Sequence, residues 1–538
     1  MKIEVKGHSG CQIDVVAEEG NLYVYKSTAD TKYLNRLALQ AQKQKAAAAV
    51  PHQHIRVPQV YDIERDDKTV VVKMQYVYSK NFVEFFNHAG FEQVDYLIGA
   101  LKYFIEYEVG QCEMKSVPAT VFQEQFADVS SKVAANPLYE GDSVVQSIID
   151  RAALVFGALI DMVIPVGLCH GDLTFSNILF NGNNYYLIDF LDSFVETPLQ
   201  DIVKIRQDTA YRWSQLMYSK QCDEVRLHIV LDKIDQEIDR YFSAKYAWYR
   251  DYYKVVQLMN ILRILPYAHE EKVIAYLKNI LIGILDEIDG RVSSAAQVEA
   301  QSDTLSESII KNLIVPVAAD KAEYKEGLPY VFGLDGDGVI ICLKSILGLE
   351  LEQFDKIYFT VLRKHAERFF VGDNLRLQFK RLGMHKAKVV VLDAPTQDQA
   401  ETISQTIIQE HIQGSIFIKD ADSYFKTSVV DENGVAIFPI EELDILSPKD
   451  KSYVAVDDMY YPTNIIEKNV VGHYISAGGY YIQDAEVYMN YYDRLRRYGK
   501  LYLSHIIYAM LLDKKAFRPM IVEEYKDWGT SNDYRRYE

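Results

Sequence analysis

The sequence predicts two domains in series: a two-lobed α+β domain, then an α/β domain with a mostly parallel sheet. Three observations predict it. The chain has 538 residues, more than a single hydrophobic core ordinarily serves. Up to about residue 80, apolar and polar positions alternate as in half-buried strands, and helical patterning then takes over to about residue 290. Beyond about residue 310, short apolar runs alternate with amphipathic helical stretches, the order that builds βαβ units.

Each element has its own signal. Residues 1–28 contain IEVKG, CQIDVV and NLYVYK, three short runs with the period of a small antiparallel sheet. Residues 32–49 are rich in Leu, Ala, Gln and Lys, all good helix formers. VPQVYDIE and TVVVKMQYVY read as two more strands. Helical patterning includes SIIDRAALVFGALIDM and resumes from about 199 to 290. GRVSSAAQVEAQSDTLSES is small and polar with no apolar period, which predicts a linker at 291–307 between domains at 1–290 and 308–538. In the second domain LIVPVAA, KIYFTVL, KVVVLDA and GSIFIKD read as buried strands, and QAETISQTIIQEHI as a helix between two of them.

Composition removes several function classes. Lys and Arg number 58 against 76 Asp and Glu, a net charge of -18, which argues against a nucleic-acid surface. The five cysteines are odd in number and unclustered, as expected of a reducing cytoplasm. The N-terminus has no apolar signal core. The most apolar stretch, Ala152 to Cys169, is broken by Asp161 and Pro165, so no membrane span is expected. The 40 tyrosines are read as amphipathic packing. The sequence is compatible with an oligomer.

LCHGDLTFSNILF, at 168–180, followed by YYLIDF, carries the first chemistry. Moving a phosphoryl group from ATP to a hydroxyl needs a carboxylate beside the acceptor proton and oxygen ligands for Mg2+. Asp172 suits the first task. Asn177, five residues on, and Asp189, twelve further at the end of a strand, suit the second. His170 and Gly171 suit a tight, hydrogen-bonded turn. The HGDxxxxN spacing with the later IDF resembles the aminoglycoside phosphotransferase and choline kinase group, within the protein-kinase-like fold, over about residues 1–290. The resemblance implies MgATP and a small-molecule acceptor, with Asp172 catalytic and Asn177 and Asp189 holding metal. It makes Lys26 the ATP lysine and Ser9 and Gly10 of KGHSG part of a phosphate lid. Gln75 and Val77 of MQYVY belong to the adenine-binding hinge, and Asp201 of PLQD is a loop brace. One feature departs. That lysine usually pairs with a helix Glu, but no Glu occurs between Asp30 and Asp62; the helix offers Gln40, Gln42 and Gln44.

Four later pieces recur in order: LIVPVAADKAEYKEGLP, SIFIKDADSYF, IIEKNVVGHYISAGGYYI and EEYKDWGTSNDY. Together they resemble sugar-phosphate nucleotidyltransferases over about residues 308–538, implying a Rossmann-like α/β fold. Carried over, Asp420, Asp422 and Asp527 bind metal and Lys468 steadies the attacking phosphate. Glu467, Gly479 and Tyr480 contact the phosphorylated substrate. The family's first loop carries glycines, an Arg and a Pro-Lys. Here it reads Ala318-Ala319-Asp320-Lys321-Ala322-Glu323, with Tyr330 after Pro329, leaving Lys321 or Lys325 as substitutes. Acidic side chains there would repel a triphosphate.

The expected function is a bifunctional transferase. It would phosphorylate a sugar or amino alcohol with MgATP, then couple the phosphate to CTP or another nucleoside triphosphate, for bacterial capsule polysaccharide. Fusing consecutive steps raises the local concentration of the intermediate. The alternative is a kinase joined to a non-catalytic ligand-binding or scaffold domain.

Overall fold

The computed structural model describes residues 2–6, 11–216, 218, 220–290, 310–318, 328–443 and 451–529. The predicted linker at 291–307, Ser9 and Gly10, and Lys321 and Lys325 lie outside the described residues. The chain divides into two compact units. The first comprises Met1–Asn87, Gln93–Cys222 and Val230–Glu299, and the second His88–Glu92, Asp223–Ile229 and Ala300–Glu538.

In the first unit, β1 (Lys2–Lys6), β2 (Gln12–Glu18), β3 (Asn21–Thr28), β4 (Val60–Arg65) and β5 (Val70–Gln75) form an antiparallel sheet in the order β1-β2-β3-β5-β4. Val70, Val72 and Met74 are buried while the residues between them are not, the period of two that the sequence predicts. Helix α1 (Leu34–Ala48) buries Leu34, Leu37, Ala38 and Ala41, a stripe at helical spacing, against those strand residues and Val60. Burying each large apolar side chain contributes roughly 1.5–3 kcal/mol. This packing fixes β3 and places Lys26 in its middle, paired across to Ile13 and Val72, rather than at its end.

A second piece of the first unit positions the polar motif. Strands β6 (Ile178–Asn181) and β7 (Asn184–Leu187) form a hairpin, and Gly182 takes the positive φ (56°) its turn requires. Asn177 precedes the hairpin and Asp189 follows it, so closing the turn brings both to one end, where Ile188 N–H donates to the Asn177 carbonyl at 3.0 Å. Helix α2 (Phe91–Gly110) is largely apolar on its buried face. Helix α3 (Pro198–Thr209) starts with Pro at its first position and Thr197 as N-cap. Helices α4 (Ala247–Leu262) and α5 (Glu271–Ile288) complete the elements needed below.

In the second unit β8 (Lys311–Val317), β9 (Lys356–Leu362), β10 (Ala387–Leu392) and β11 (Ser415–Lys419) are parallel, with α6 (Gln399–Glu410) crossing from β10 to β11. The remaining strands are β12 (Ser423–Lys426), β13 (Gly434–Pro439), β14 (Ser452–Val456), β15 (Pro462–Glu467), β16 (Tyr474–Ile482), β17 (Arg518–Ile521) and β18 (Glu523–Asp527). The main sheet runs β10-β9-β8-β11-β16-β13-β17, with β14 joining β16 to β15, and β12 pairs separately with β18. The predicted mostly parallel sheet is therefore mixed. β16 runs antiparallel to both β11 and β13, and the chain enters it from β15 through the short segment 468–473 and not through a helical crossover. Among the described residues no helix is long and apolar enough to cross a membrane.

Candidate active site

His170, Gly171 and Asp172 form a loop held from beneath. The Asp201 carboxylate, fully buried on α3, accepts hydrogen bonds from the backbone N–H of His170 (2.6 Å) and of Gly171 (2.8 Å). Glu108 of α2, also buried, faces Asp201, and burial raises both carboxyls. The two amides favour the ionised form of Asp201, while burial beside that carboxylate raises Glu108 well above its ordinary value. The His170 ring donates from Nε2 to the Ile188 carbonyl (3.0 Å) and accepts at Nδ1 from Asp172 N–H (3.2 Å).

On that loop, Asn177 Nδ2 donates to Asp172 Oδ2 (3.0 Å) and to its carbonyl (2.8 Å). Lys204 of α3 pairs with Asp172 Oδ1 at 3.0 Å. Burial disfavours charge on Asp172. The Lys204 ammonium, with help from His170 and Asn177, outweighs that and holds the carboxyl below its ordinary value. Lys26 donates to Asp189 Oδ1 at 2.7 Å. Asp189 itself is in the left-handed region, φ 61°.

The missing helix Glu is answered here. Lys26 is buried and takes Asp189 as its partner in place of a helix Glu. Helix α1 instead contributes Lys43, which donates to the Leu191 carbonyl (2.6 Å) and to Glu196 Oε2 (2.6 Å). Gln40 and Gln44 are buried on the same face, Gln44 donating to the Pro58 carbonyl. Sequence reading missed Lys43, Lys204 and Glu108. Only Lys204 carried a local signal: it lies one helical turn after Asp201 on the same helix. Of the hinge residues, Gln75 ends β5 and is bonded across to Gln59, and Val77 is half-buried just beyond.

The donor set fits a divalent cation. Asn177 spends its amide nitrogen on Asp172, and among the described residues no group donates to Asn177 Oδ1 or Asp189 Oδ2. Those two oxygens are hard ligands of the kind Mg2+ takes together with phosphate oxygens.

In the second unit, Asp420 follows β11. Its N–H donates to the Gly478 carbonyl (2.8 Å) and its Oδ1 accepts from Gln399 of α6 (2.5 Å). The Asp422 carbonyl accepts from Trp528 N–H (2.8 Å), which joins it to Asp527 at the end of β18. Asp527 Oδ2 pairs with Lys451 at 2.5 Å. Burial raises the Tyr525 phenol, and the charges of Asp527, Asp422 and Asp420 add to that. Among the described residues no three His, Cys, Asp or Glu side chains form a metal-ligand cluster. Mg2+ commonly uses one or two carboxylates plus phosphate oxygens, which this set can supply.

The other residues separate. Glu467 accepts from Ser452 Oγ (2.5 Å) and Ser504 Oγ (2.6 Å). Lys468, at φ 60°, is exposed with its ammonium 5.6 Å from the Tyr502 ring centre. Tyr480 is buried and accepts from Ser476 Oγ (2.9 Å); burial and then Asp420 raise its phenol. Gly479 faces inward, where an added Cβ would meet Phe425, Ala436 and Phe417. It is Gly478, at φ 84°, that lies against Asp420: a Cβ there would come within 2.6 Å of Asp420 Oδ2.

Residues 30–224 match the phosphotransferase enzyme family. This region is a phosphotransferase-family domain. No curated protein matches the chain in sequence. Among solved structures, a thermostable mutant of an aminoglycoside phosphotransferase, in a ternary complex with AMP-PNP and hygromycin B, is 11% identical. It has a TM-score of 0.38 over 54% of this chain and 95% of its own. A nucleoside-diphosphate-sugar pyrophosphorylase from Vibrio cholerae RC9 is 17% identical, with a TM-score of 0.35 over 42% of this chain and 98% of its own. An inositol-1-phosphate CTP transferase from T. maritima is 13% identical, with a TM-score of 0.35 over 43% and 93%.

The phosphotransferase domain carries a pH signature. Burial pushes His170 down to about 4, and its Nδ1 is occupied as an acceptor, so the ring is neutral when folded. The unfolded chain therefore binds the extra proton first. The stabilisation is complete above the ordinary value of 6.5 and is lost as pH falls toward 4. Wild-type protein is expected to lose on the order of 3 kcal/mol across that window from this group. His170→Gln, which cannot gain a proton, should flatten that slope in urea unfolding series. An unchanged slope would remove His170 as its source.

Proposed function

We propose that residues 1–290 form a MgATP-dependent kinase for a small hydroxyl compound, a sugar or an amino alcohol. Residues 308–538 would then couple the product phosphate to a nucleotide such as CTP. The carrying observation is the β6–β7 hairpin, which sets Asn177 and Asp189 beside Asp172 while Lys26 grips Asp189. In this reading the acceptor hydroxyl lies against the Asp172 carboxylate, which Lys204 keeps ionised. As the acceptor oxygen attacks the γ-phosphorus, the O–H bond breaks toward Asp172, a new O–P bond forms, and the bridging P–O bond to ADP breaks. Asn177 and Asp189 would hold the metal that offsets charge on the phosphates, and Lys26 orients Asp189. Because Asp172 is held below its ordinary value, it orients the hydroxyl more than it captures its proton early.

In the second unit Asp420 or Asp422, with Asp527, would hold the metal at the α-phosphate, and Lys468 would meet the attacking phosphate. Tyr480 and Glu467 would complete the substrate pocket. Such a pair of steps makes an activated donor of the kind used for bacterial surface polysaccharide, and the cytoplasm supplies both nucleotides. A second reading has the second unit bind its ligand without catalysis. The Lys451–Asp527 ion pair favours it, since Lys451 already neutralises one of the carboxylates.

The test separates the readings. Full-length protein is incubated with Mg2+, ATP and candidate alcohols and sugars, and ADP is followed; CTP, UTP or GTP is then added and pyrophosphate followed. Asp527→Asn is expected to lower pyrophosphate release by more than the ~10–100-fold typical of an outer-shell partner, with ADP formation retained. ADP without pyrophosphate selects the ligand-binding reading, and absence of ADP sinks the kinase.

A further inference from the structure

We infer that the acceptor carries an anionic group, a carboxylate or a phosphate, and that Arg263 of the first unit receives it. The inference rests on the kinase reading of Asp172 and adds the charge class of its substrate.

The starting point is an imbalance. In a chain with 76 acidic residues against 58 basic ones, arginines find carboxylates easily. Within the first unit Arg151 takes Asp286 and Asp289, Arg206 takes Asp235 and Asp239, and Arg212 takes Asp232. Arg263 and Arg36 do not. Among the described residues neither guanidinium makes an ion pair or a hydrogen bond; each rests on a ring. Arg263 lies 5.3 Å from the centre of the Phe194 ring, and Arg36 lies 5.2 Å from that of Tyr33. A guanidinium seated on an aromatic face keeps its edge N–H donors available for a planar anion.

Their place connects them to the chemistry. Phe194 is braced edge-on by Phe122 at 5.2 Å, and its neighbour Ser193 donates from Oγ to the Gly171 carbonyl at 3.4 Å. Gly171 precedes Asp172. The ring beneath Arg263 is thus tied to the Asp172 loop. Arg263 caps the C-terminal end of α4, while Arg36 is on α1. The Arg263 side chain is accessible to solvent. Burial lowers its pKa, as does repulsion from Arg36, whereas Tyr267 and Asp172 oppose the shift. Asp172 and Asp128 act on Arg263 only from a distance and make no ion pair with it, so its donors remain open to an anion bound at the guanidinium edge. The nearest partners of the Asp172 carboxylate are Lys204 and Asn177, not Arg263. A cationic acceptor would meet Lys204 beside Asp172 and Arg263 beyond it.

ATP phosphates are the other available anions. Lys26 and the two open oxygens of Asn177 and Asp189 already provide for those. The experiment separates the sources.

Full-length protein with MgATP is assayed for ADP on D-glycerate, glycerol 3-phosphate, glycerol and ethanolamine. The expected result is a preference for the two anionic compounds over glycerol of at least about tenfold in kcat/KM. Arg263→Ala should erase the preference by raising KM for the acceptor, and Arg263→Lys should restore part of it. Equal or better use of glycerol or ethanolamine overturns the inference and leaves the kinase standing. So does a preference unchanged in Arg263→Ala, or a KM for ATP that rises in place of that for the acceptor. If no compound yields ADP, D-glycerate and glycerol 3-phosphate are titrated calorimetrically in the presence of AMP-PNP. Binding that Arg263→Ala abolishes supports the anion site while counting against the kinase, and no binding overturns the inference.

Discussion

Asp172→Asn is expected to lower acceptor-dependent ADP formation about 10³-fold while leaving the fold intact. The substitution is isosteric and keeps the contacts made by the Asp172 backbone. It removes the only carboxylate oxygens that the loop presents to an incoming hydroxyl, and it also removes the counter-charge that Lys204 now engages at 3.0 Å. The released ammonium would lie where the acceptor proton must go, which disfavours proton departure further. ATP affinity should change little, because Lys26, Asn177 and Asp189 remain. The measurement is steady-state ADP release together with AMP-PNP binding. A variant that retains a tenth of wild-type turnover would show that Asp172 is not the proton acceptor, and attention would shift to a water held by the metal ligands.

Gly171→Ala should be almost as damaging, by a different route. Gly171 has φ 87°, and a Cβ built on it would come within 2.1 Å of the Leu191 carbonyl oxygen and 3.0 Å of its carbon. That carbonyl cannot retreat. Lys43 holds the oxygen at 2.6 Å, and Leu191 N–H donates to the His170 carbonyl at 2.9 Å. Backbone strain at a positive φ and a backbone clash each cost about 1–3 kcal/mol, so the variant should lose roughly 2–6 kcal/mol. For a unit of this size that is a melting temperature lowered by about 5 °C or more, with ADP formation lost through the displaced Asp172. Wild-type melting and turnover in Gly171→Ala would mean that the loop is not pinned as described. Lys43→Met in the same background would relax the clash and recover part of the stability.

Legibility followed sequence distance. Asp172, Asn177 and Asp189 fall within eighteen residues and are joined by one short hairpin, so their spacing alone predicted that they would meet. Asp201 was legible only through the resemblance, as the Asp of PLQD; in the structure it lies in the first turn of a helix that begins at Pro198 with Thr197 as N-cap. The partner of Lys26 was not. The departure from the helix Glu was visible, but its resolution depends on β3 and the hairpin packing across a separation of 163 residues. Lys43 reaching Glu196 and Glu108 facing Asp201 are likewise matters of which helix face turns inward. In the second unit the glycine pair shows the limit of motif reading. Gly479 was expected at the pocket, yet Gly478 lies against Asp420 and Gly479 packs inward. A strand alternates faces at every residue, so a register one residue off exchanges the pocket for the core.

By itself the sequence determined the order of strands and helices, the turn that unites three polar side chains, and the family to which residues 30–224 belong. Those properties rest on local spacing and on glycine and proline geometry, which act within a few residues. Only the tertiary structure decided which cations engage Asp172 and Asp189, and which arginines are left without a carboxylate. It also decided that the second sheet is mixed. Each of these depends on how distant segments pack, and in a chain with so many acidic side chains local pattern cannot tell which of them a given cation will meet.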